Sequence, residues 1–295
     1  PHPVRIIGRA VKFSERLSSH FVKSQRGELI TGALVSTFIT AGAYTSTHLL
    51  LKFSGRINKK FGAVTEIILA SSALAMRSLI TEANGVLNAL EADDLKTARD
   101  RLRWIVGRDT EFLDENEIAR AVIETVAESA CDGIIAPLFY LTIGGPALAL
   151  GYKAVNTLDS MIGHYEQPFT YFGRAAARLD DAANFLPARL TAGLIVVASK
   201  ITGEDARSAA ILWQRDGMLH ASPNAGQSEA AMAGALNVRL GGVNYYDGVE
   251  HKSGYFGTEF TLPTARAARR SIRIVIAASV TAYAIAGLIN WWRRK

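Results

Sequence analysis

Apolar residues recur at three- and four-residue spacing along most of the chain, and alternating strand-like runs are scarce, so the pattern predicts helix almost throughout. Three runs carry no formal charge for close to the roughly 20 residues that a helix needs to cross a hydrocarbon core: Leu29 to Leu51, Gly133 to Tyr152 and Ile274 to Trp292. The last closes on Trp291-Trp292 and then Arg293-Arg294-Lys295, an aromatic interface anchor with a basic flank. Two weaker runs are interrupted by charge, Phe61 to Met76 by Glu66 and Leu186 to Ser199 by Arg189; length alone favours buried core helices there. Lys23 and Arg26 precede the first long run and Lys52, Arg56, Lys59 and Lys60 follow it, so the bias of basic residues does not set the topology.

Polar residues gather in three blocks, about Leu90 to Asp132, Lys153 to Asp181 and Lys200 to Pro263, with no internal repeat or low-complexity tract. The expected architecture is a single all-α domain over residues 1–295: a multi-pass membrane bundle with polar interfacial helices and loops. Composition agrees, with 49% hydrophobic and 20% charged residues and a mean hydropathy of +0.13, between a soluble enzyme and a transporter threaded through lipid. The net charge of +6 suits either headgroup contact or an anionic substrate. Cys131, the only cysteine, excludes an internal disulfide and a zinc-thiolate cluster. No charged-then-apolar leader and no nucleic-acid motif is visible.

"FLDENEIARAVIETVAESACDG" is the best-marked helix, with Asp114 and Glu117 as a capping box, Leu113 and Ile118 as a hydrophobic staple and Gly133 as its stop. One face carries Glu117, Arg120, Glu124, Glu128, Cys131 and Asp132. Like charges at i and i+4 repel by roughly a few tenths of a kcal/mol per pair, so Glu124, Glu128 and Asp132 ask for a compensating cation unless the face is simply solvated. Arginines from elsewhere or a hard ion such as magnesium would serve. Upstream, Lys96, Arg99 and Arg103 share a face that a surface ion-pair network would explain equally well; Arg108, in the following turn, is the stronger candidate for an anion.

"YKAVNTLDSMIG" places Lys153, Asn156, Thr157 and Ser160 on one side with Asp159 beside Asn156. "ARLDDAANFLPARL" pairs Arg178 with Asp181 at i+3 and Asp180 with Asn184 at i+4; adjacent carboxylates near a membrane boundary are costly unless hydrated, paired or bound to metal. "SPNAGQSEAAMAGALNVRLGG" has a capping-box pattern, Asn224 with Gln227, and a stop at Gly241-Gly242. Its small residues Ala225, Gly226, Ala230, Ala233 and Gly234 allow either close helix packing or the approach of a flat ligand, and its N-terminus offers free amides to an anion. There is no G-x-x-x-x-G-K-[ST] loop, H-E-x-x-H, G-x-S-x-G or CxxC pair, so any nucleotide site is of a non-standard type.

These motifs resemble the CobD/CbiB family, the membrane-bound adenosylcobinamide-phosphate synthases. The resemblance rests on "HPVRIIGR", "IVGRDT", "EIARAVIETVAES", "DGIIAPLFY", "YKAVNTLDSMIG", "FGRAAARLDDAANFLPARLTA", "SPNAG" with "EAAMAGAL", and "RLGGVNYY", in the family's order over nearly the whole chain. The sequence departs from the family in starting almost at "HPVR", where an apolar helix usually precedes. It also has Glu128-Ser129 for Glu-Asn, and Gln227 and Ser228 for an aromatic and a proline after "SPNAG".

The resemblance implies an ATP-dependent ligation that joins a propionate carboxylate of adenosylcobyric acid to the amine of (R)-1-amino-2-propanol phosphate, or of threonine phosphate, with ATP as co-substrate and Mg2+. It implies a bacterial inner-membrane protein with a cytoplasm-facing site, in contact with lipid and with other cobalamin-pathway enzymes. The expected catalytic residues are Lys153, Asp159, Asp180 and Asp181. Substrate binding falls to Arg108, Asn156, Arg178, Asn184, Asn224, Arg239 and Asn244, and the metal to Glu124, Glu128, Asp132 and Asp180. Two rival readings of the residues are a prenyltransferase holding magnesium-diphosphate, which would need a second matching aspartate-rich motif, and a transporter or sensor, whose charges should lie inside the apolar runs.

Overall fold

The computed structural model describes residues 2–21, 24–163, 171–293 and 295; Lys23, Arg294 and residues 164–170 of the second polar block lie outside the described residues. Eleven helices and one hairpin are seen among them, and the chain divides into two compact units, Pro1–Leu74 with Ala136–Asn184 and Ala75–Ile135 with Phe185–Lys295.

In the first unit, helix α1 (Pro3–Phe21) precedes α2 (Gln25–Ile57), whose free amides are capped by Ser24 Oγ, and α3 (Lys59–Ser72), capped by Asn58 Oδ1. Ile7, Val11, Ile39, Ala154, Leu158, Ile162 and Phe172 form its core. Helix α7 (Ala136–Ile162) is broken at Gly144-Gly145-Pro146: Gly145 has φ of +69°, and Pro146 can neither donate a hydrogen bond nor follow a regular turn. The second uncharged run is therefore two helical pieces at an angle. Across the break Tyr140 and Tyr152 stack with centroids 5.0 Å apart, and their hydroxyls donate to Ala183 O and Asn184 Oδ1 of helix α8 (Arg174–Thr202), each at 2.8 Å. The start of α8 is pinned by contacts only glycine allows, since a Cβ on Gly173 would lie 1.5 Å from Ile162 O and one on Gly32 1.9 Å from Phe172 O.

The second unit holds α4 (Met76–Glu91), α5 (Leu95–Leu102), α6 (Glu115–Ala130), α9 (Ala206–Asp216), α10 (Ala225–Leu236), strands β1 (Leu240–Tyr246) and β2 (Val249–Phe256), and α11 (Ala265–Arg293). The Asp114–Glu117 capping box forms as expected. The stop at Gly133 does not: the chain runs on through a π-helical turn, Cys131–Ile135, into α7. The widened turn leaves Gly133 O to accept the amide of Ala75, which opens α4, at 2.8 Å.

Helix α10 also departs from expectation. Its capping box is absent because the Gln227 side chain is held elsewhere, accepting from Trp213 Nε1 and donating to Gly217 O at 2.9 Å each, while Ser222 Oγ receives the amides of Asn224 and Ala225. The helix ends on Asn237 in the left-handed conformation rather than at Gly241-Gly242, which belong to β1. Every residue of α10 is buried, and close packing explains its small residues. A Cβ on Gly234 would meet Ser208 O of α9 at 2.3 Å. Gly234→Ala is thus expected to destabilise this unit by about 1–3 kcal/mol, read as a lower melting temperature in detergent. Gly55→Ala on α2, where a Cβ meets nothing within 4 Å, should be tolerated.

Among the described residues five helical stretches are long and apolar enough to cross a membrane: Gln25–Ile57, Lys59–Glu91, Glu115–Ile162, Arg174–Thr202 and Ala265–Arg293. They include both weaker runs, for which buried core helices were expected. The first is overturned by exposure, since Phe61, Val64, Ile67 and Ile68 all face outward. The second is two-faced, with Ala188, Ala192, Ile195 and Ala198 buried and Leu186, Leu190, Val197 and Ile201 exposed.

Candidate functional site

Residues expected from sequence gather in one cluster in each unit. In the first, the C-terminal half of α7 supplies Lys153, Asn156 and Asp159, and the first turns of α8 supply Asp180, Asp181 and Asn184. Asp180 is buried; its Oδ2 accepts from Asn184 Nδ2 at 2.8 Å, and both the Asn156 side chain and the charge of Asp159 act on its carboxyl. Its Oδ1 is buried and has no hydrogen-bond partner among the described residues. A carboxylate oxygen in that position beside a second carboxylate fits a cation. Lys153 Nζ donates to Asn156 Oδ1 at 2.8 Å, so α7 carries its own positive charge one turn from Asn156. Asp181 faces away and pairs with Arg178 at 3.6 Å on a largely exposed edge.

In the second unit α6 is the spine. Arg120 and Glu124 are both buried, contrary to a solvated face. Glu124 Oε2 takes Arg108 Nη2, while Oε1 accepts the amide of Gly241 at 2.8 Å and faces Arg120 Nη1 at 3.5 Å. A bulge between Gly241 and Val243 turns two carbonyls of β1 to Arg120, which donates to Gly241 O at 2.6 Å and Val243 O at 3.0 Å. Asn244 Oδ1 accepts from both Arg108 and Arg120, at 2.7 and 3.0 Å.

The loop that carries Arg108 is tied to the hairpin by Asp109, whose carboxylate receives the amides of Asp247 and Gly248 at 3.2 and 2.8 Å. Burial works against the charge of Arg108, but Glu124 outweighs it and holds the guanidinium above its usual pKa. Buried Glu229 of α10 completes the cluster. Burial, then the charges of Glu124 and Glu128, push its pKa well above the usual carboxylate range. Glu128 is exposed and within electrostatic reach of Glu124, Arg108 and His220, so the cluster opens to solvent there.

The residues expected from sequence are therefore divided. Lys153, Asn156, Asp159, Asp180 and Asn184 come together, whereas Asp181 and Arg178 form a pair at their edge. Arg108, Glu124 and Asn244 form one network, with Glu128 at its mouth. Asp132 lies half-buried in the π-turn. Arg239 stacks over Tyr255 at 5.2 Å, and Asn224 accepts from Arg189 at 3.4 Å. The metal role for Glu124 is corrected, because both its oxygens are occupied by guanidinium and amide donors. Among the described residues no group of three or more His, Cys, Asp or Glu is set for a metal. Sequence reasoning missed Glu229 and gave Arg120 no role. Arg120 was the lone base on an acidic face, and Glu229 the lone acid in a run of small residues.

The sequence profile of the CobD/Cbib protein family matches residues 1–275. The chain belongs to the CobD/CbiB family. It is 42% identical over 280 residues to a cobalamin biosynthesis protein CobD of Pelobacter propionicus, covering 95% of this chain and 86% of that one. A CobD protein of Klebsiella pneumoniae is 41% identical, with 99% and 92% of the two chains covered, and a cobalamin biosynthesis protein CbiB of Salmonella typhimurium 40%, with 97% and 89%. No solved structure matches the chain. Within the matched residues, the stretches "YKAVNTLDSMIG" and "ARLDDAANF" lie at the first cluster and "IVGRDT", "EIARAVIETVAES" and "RLGGVNYY" at the second.

Proposed function

We propose that this protein acts in cobalamin biosynthesis as an adenosylcobinamide-phosphate synthase of the inner membrane with a cytoplasm-facing site. It joins the propionate carboxylate of adenosylcobyric acid to the amine of (R)-1-amino-2-propanol phosphate or threonine phosphate. The observation that carries the reading is the family match over residues 1–275 together with relatives named for cobalamin biosynthesis. In such a ligation the γ-phosphoryl of ATP passes to the carboxylate oxygen, ADP leaves, the amine nitrogen attacks the acyl carbon, and phosphate departs as the amine loses its proton.

The side chains suit those demands. Lys153 offers a positive charge to a phosphate, Asn156 and Asn184 fix the Asp180 carboxyl, and the Arg108–Glu124 network of the second unit opens to solvent at Glu128. Asp180 and Asp159 would hold Mg2+, which when bound supplies positive charge to phosphate oxygens. Asp180 Oδ1 is the fitting atom because it is buried with no donor among the described residues. With purified protein in detergent, phosphate release from ATP is expected only when corrinoid and phosphorylated amine are both present. Equal ATP turnover with both omitted would overturn the ligase reading.

A further inference from the structure

The second unit carries another charged site, built from residues of neither cluster. Thr202, Gly203 and Glu204, at the end of α8, and Arg266, Arg269, Arg270 and Arg273, on the opening turns of α11, line an open cleft of about 730 Å³. The arginines fall at i, i+3, i+4 and i+7, one face of the helix. Three of them meet carboxylates. Arg270 grips buried Glu204 through two nitrogens, with Nε at 2.8 Å, and Arg273 reaches the same carboxylate at 3.5 Å. Arg269 is held by Glu91 at 2.8 and 2.9 Å and also bonds Asn84 and Asn88. Arg266 has no acidic partner among the described residues. Four guanidinium groups thus face two carboxylates, Glu204 and Glu91, an excess of two positive charges.

The excess sits at the wrong end of a helix. The first turn of α11 contains no acid, yet the N-terminus of a helix carries partial positive charge and favours anions. Four cations there repel that end and one another unless an anion joins them. A flank that only oriented the helix in a membrane would need exposed charge, not guanidinium groups clamped by a buried glutamate around a cleft. Both helices that bound the cleft are candidate membrane spans, and both have an end here, α8 at Thr202 and α11 at Ala265. The cleft therefore lies at the end of both candidate spans.

We propose that this cleft binds a phosphate group at the membrane boundary, that of an anionic phospholipid such as phosphatidylglycerol. Arginine forks match phosphate oxygens, and Arg266 and Arg273 are the two exposed donors available to them. The inference does not depend on the ligation reaction.

The test uses the full chain in neutral detergent, with binding of short-chain phosphatidylglycerol and phosphatidylcholine measured by native mass spectrometry, and ATP and inorganic phosphate as competitors. Wild type should prefer phosphatidylglycerol, and the double variant Arg266→Gln/Arg273→Gln should weaken it at least about tenfold. Arg293→Gln/Lys295→Gln, the same charge change at the other end of α11, should change it less than about twofold. Should the double variant fold poorly by melting temperature, Arg266→Gln alone removes no ion pair and keeps the comparison. ATP or phosphate binding that falls with the same arginines, without preference between the lipids, would retain the phosphate site and assign it to a soluble phosphate. Equal binding of every probe by wild type and variants would overturn the site.

Discussion

Asp180→Asn is expected to lower the single-turnover rate by about a hundredfold to a thousandfold, the scale of losing one preorganised electrostatic group, while leaving the melting temperature in detergent unchanged or raised. The opposite signs follow from the surroundings of the carboxyl. The replacement amide would keep an oxygen for Asn184 Nδ2, which now donates to Asp180 Oδ2 at 2.8 Å, so the helical contact survives. What disappears is a buried charge whose second oxygen has no donor among the described residues and which sits beside Asp159. Such an arrangement is unfavourable for folding unless a proton or a cation neutralises the carboxylate, and a bound cation is the form the reaction would use.

Asp181→Asn gives the contrast. Its pair with Arg178 at 3.6 Å is largely exposed and contributes at most about 1 kcal/mol. Its loss should raise KM for the phosphorylated amine by freeing Arg178, with kcat nearly constant. Parallel loss of melting temperature and rate in both variants would instead make the two aspartates packing residues. A rate for Asp180→Asn within about threefold of wild type would remove Asp180 from the reaction.

The parts of this site visible in sequence are those closed within one helix. Arg178 with Asp181, Asp180 with Asn184 and the Asp114–Glu117 box are separated by three or four residues, and helical geometry alone brings them together. The partners of Glu124 were out of reach of that reasoning. Its acidic ladder called for a cation, but Arg108 arrives from a loop tied down by Asp109, and Gly241 from a strand 117 residues away.

The hairpin did have a local signal, Asp247-Gly248 between Tyr246 and Val249, where both turn residues take positive φ and suit a two-residue turn. It was overshadowed by the helical period on either side. The π-turn at Cys131–Ile135 had none, because it answers to the amide of Ala75, a tertiary demand. Gln227 is a similar case: the capping pattern was present, but Trp213 and Gly217 compete for the side chain and win. Membrane spans were legible where charge was absent. They were misread where Glu66 or Arg189 interrupted the run, since one charged side chain at a helix edge does not stop the rest of that helix from facing lipid.

The second cluster holds two buried glutamates that neutral replacement should affect in opposite ways. Glu124→Gln leaves Arg108 and Arg120 buried without a counter-charge and turns an amide NH2 toward one of them. The expected loss is about 3–5 kcal/mol, the range for removing one partner of a buried pair, seen as a large fall in melting temperature and in the yield of folded protein. Glu229→Gln should be tolerated.

Burial and then the charges of Glu124 and Glu128 hold the pKa of Glu229 well above its value in the unfolded chain, so glutamine copies the protonated form present in the fold. Because the folded pKa is the higher one, the stability this group contributes is complete below about pH 4 and is lost as pH rises toward the folded value. Wild type should therefore lose melting temperature from neutral to alkaline pH more steeply than Glu229→Gln, which has no proton to release. Melting both variants and wild type in detergent between about pH 6 and 9 tests the arrangement. A Glu124→Gln protein as stable as wild type would mean that the two arginines are balanced by something other than Glu124. A pH profile unchanged by Glu229→Gln would mean that Glu229 is already ionised inside the fold, where together with Glu124 it would balance the charges of the two arginines.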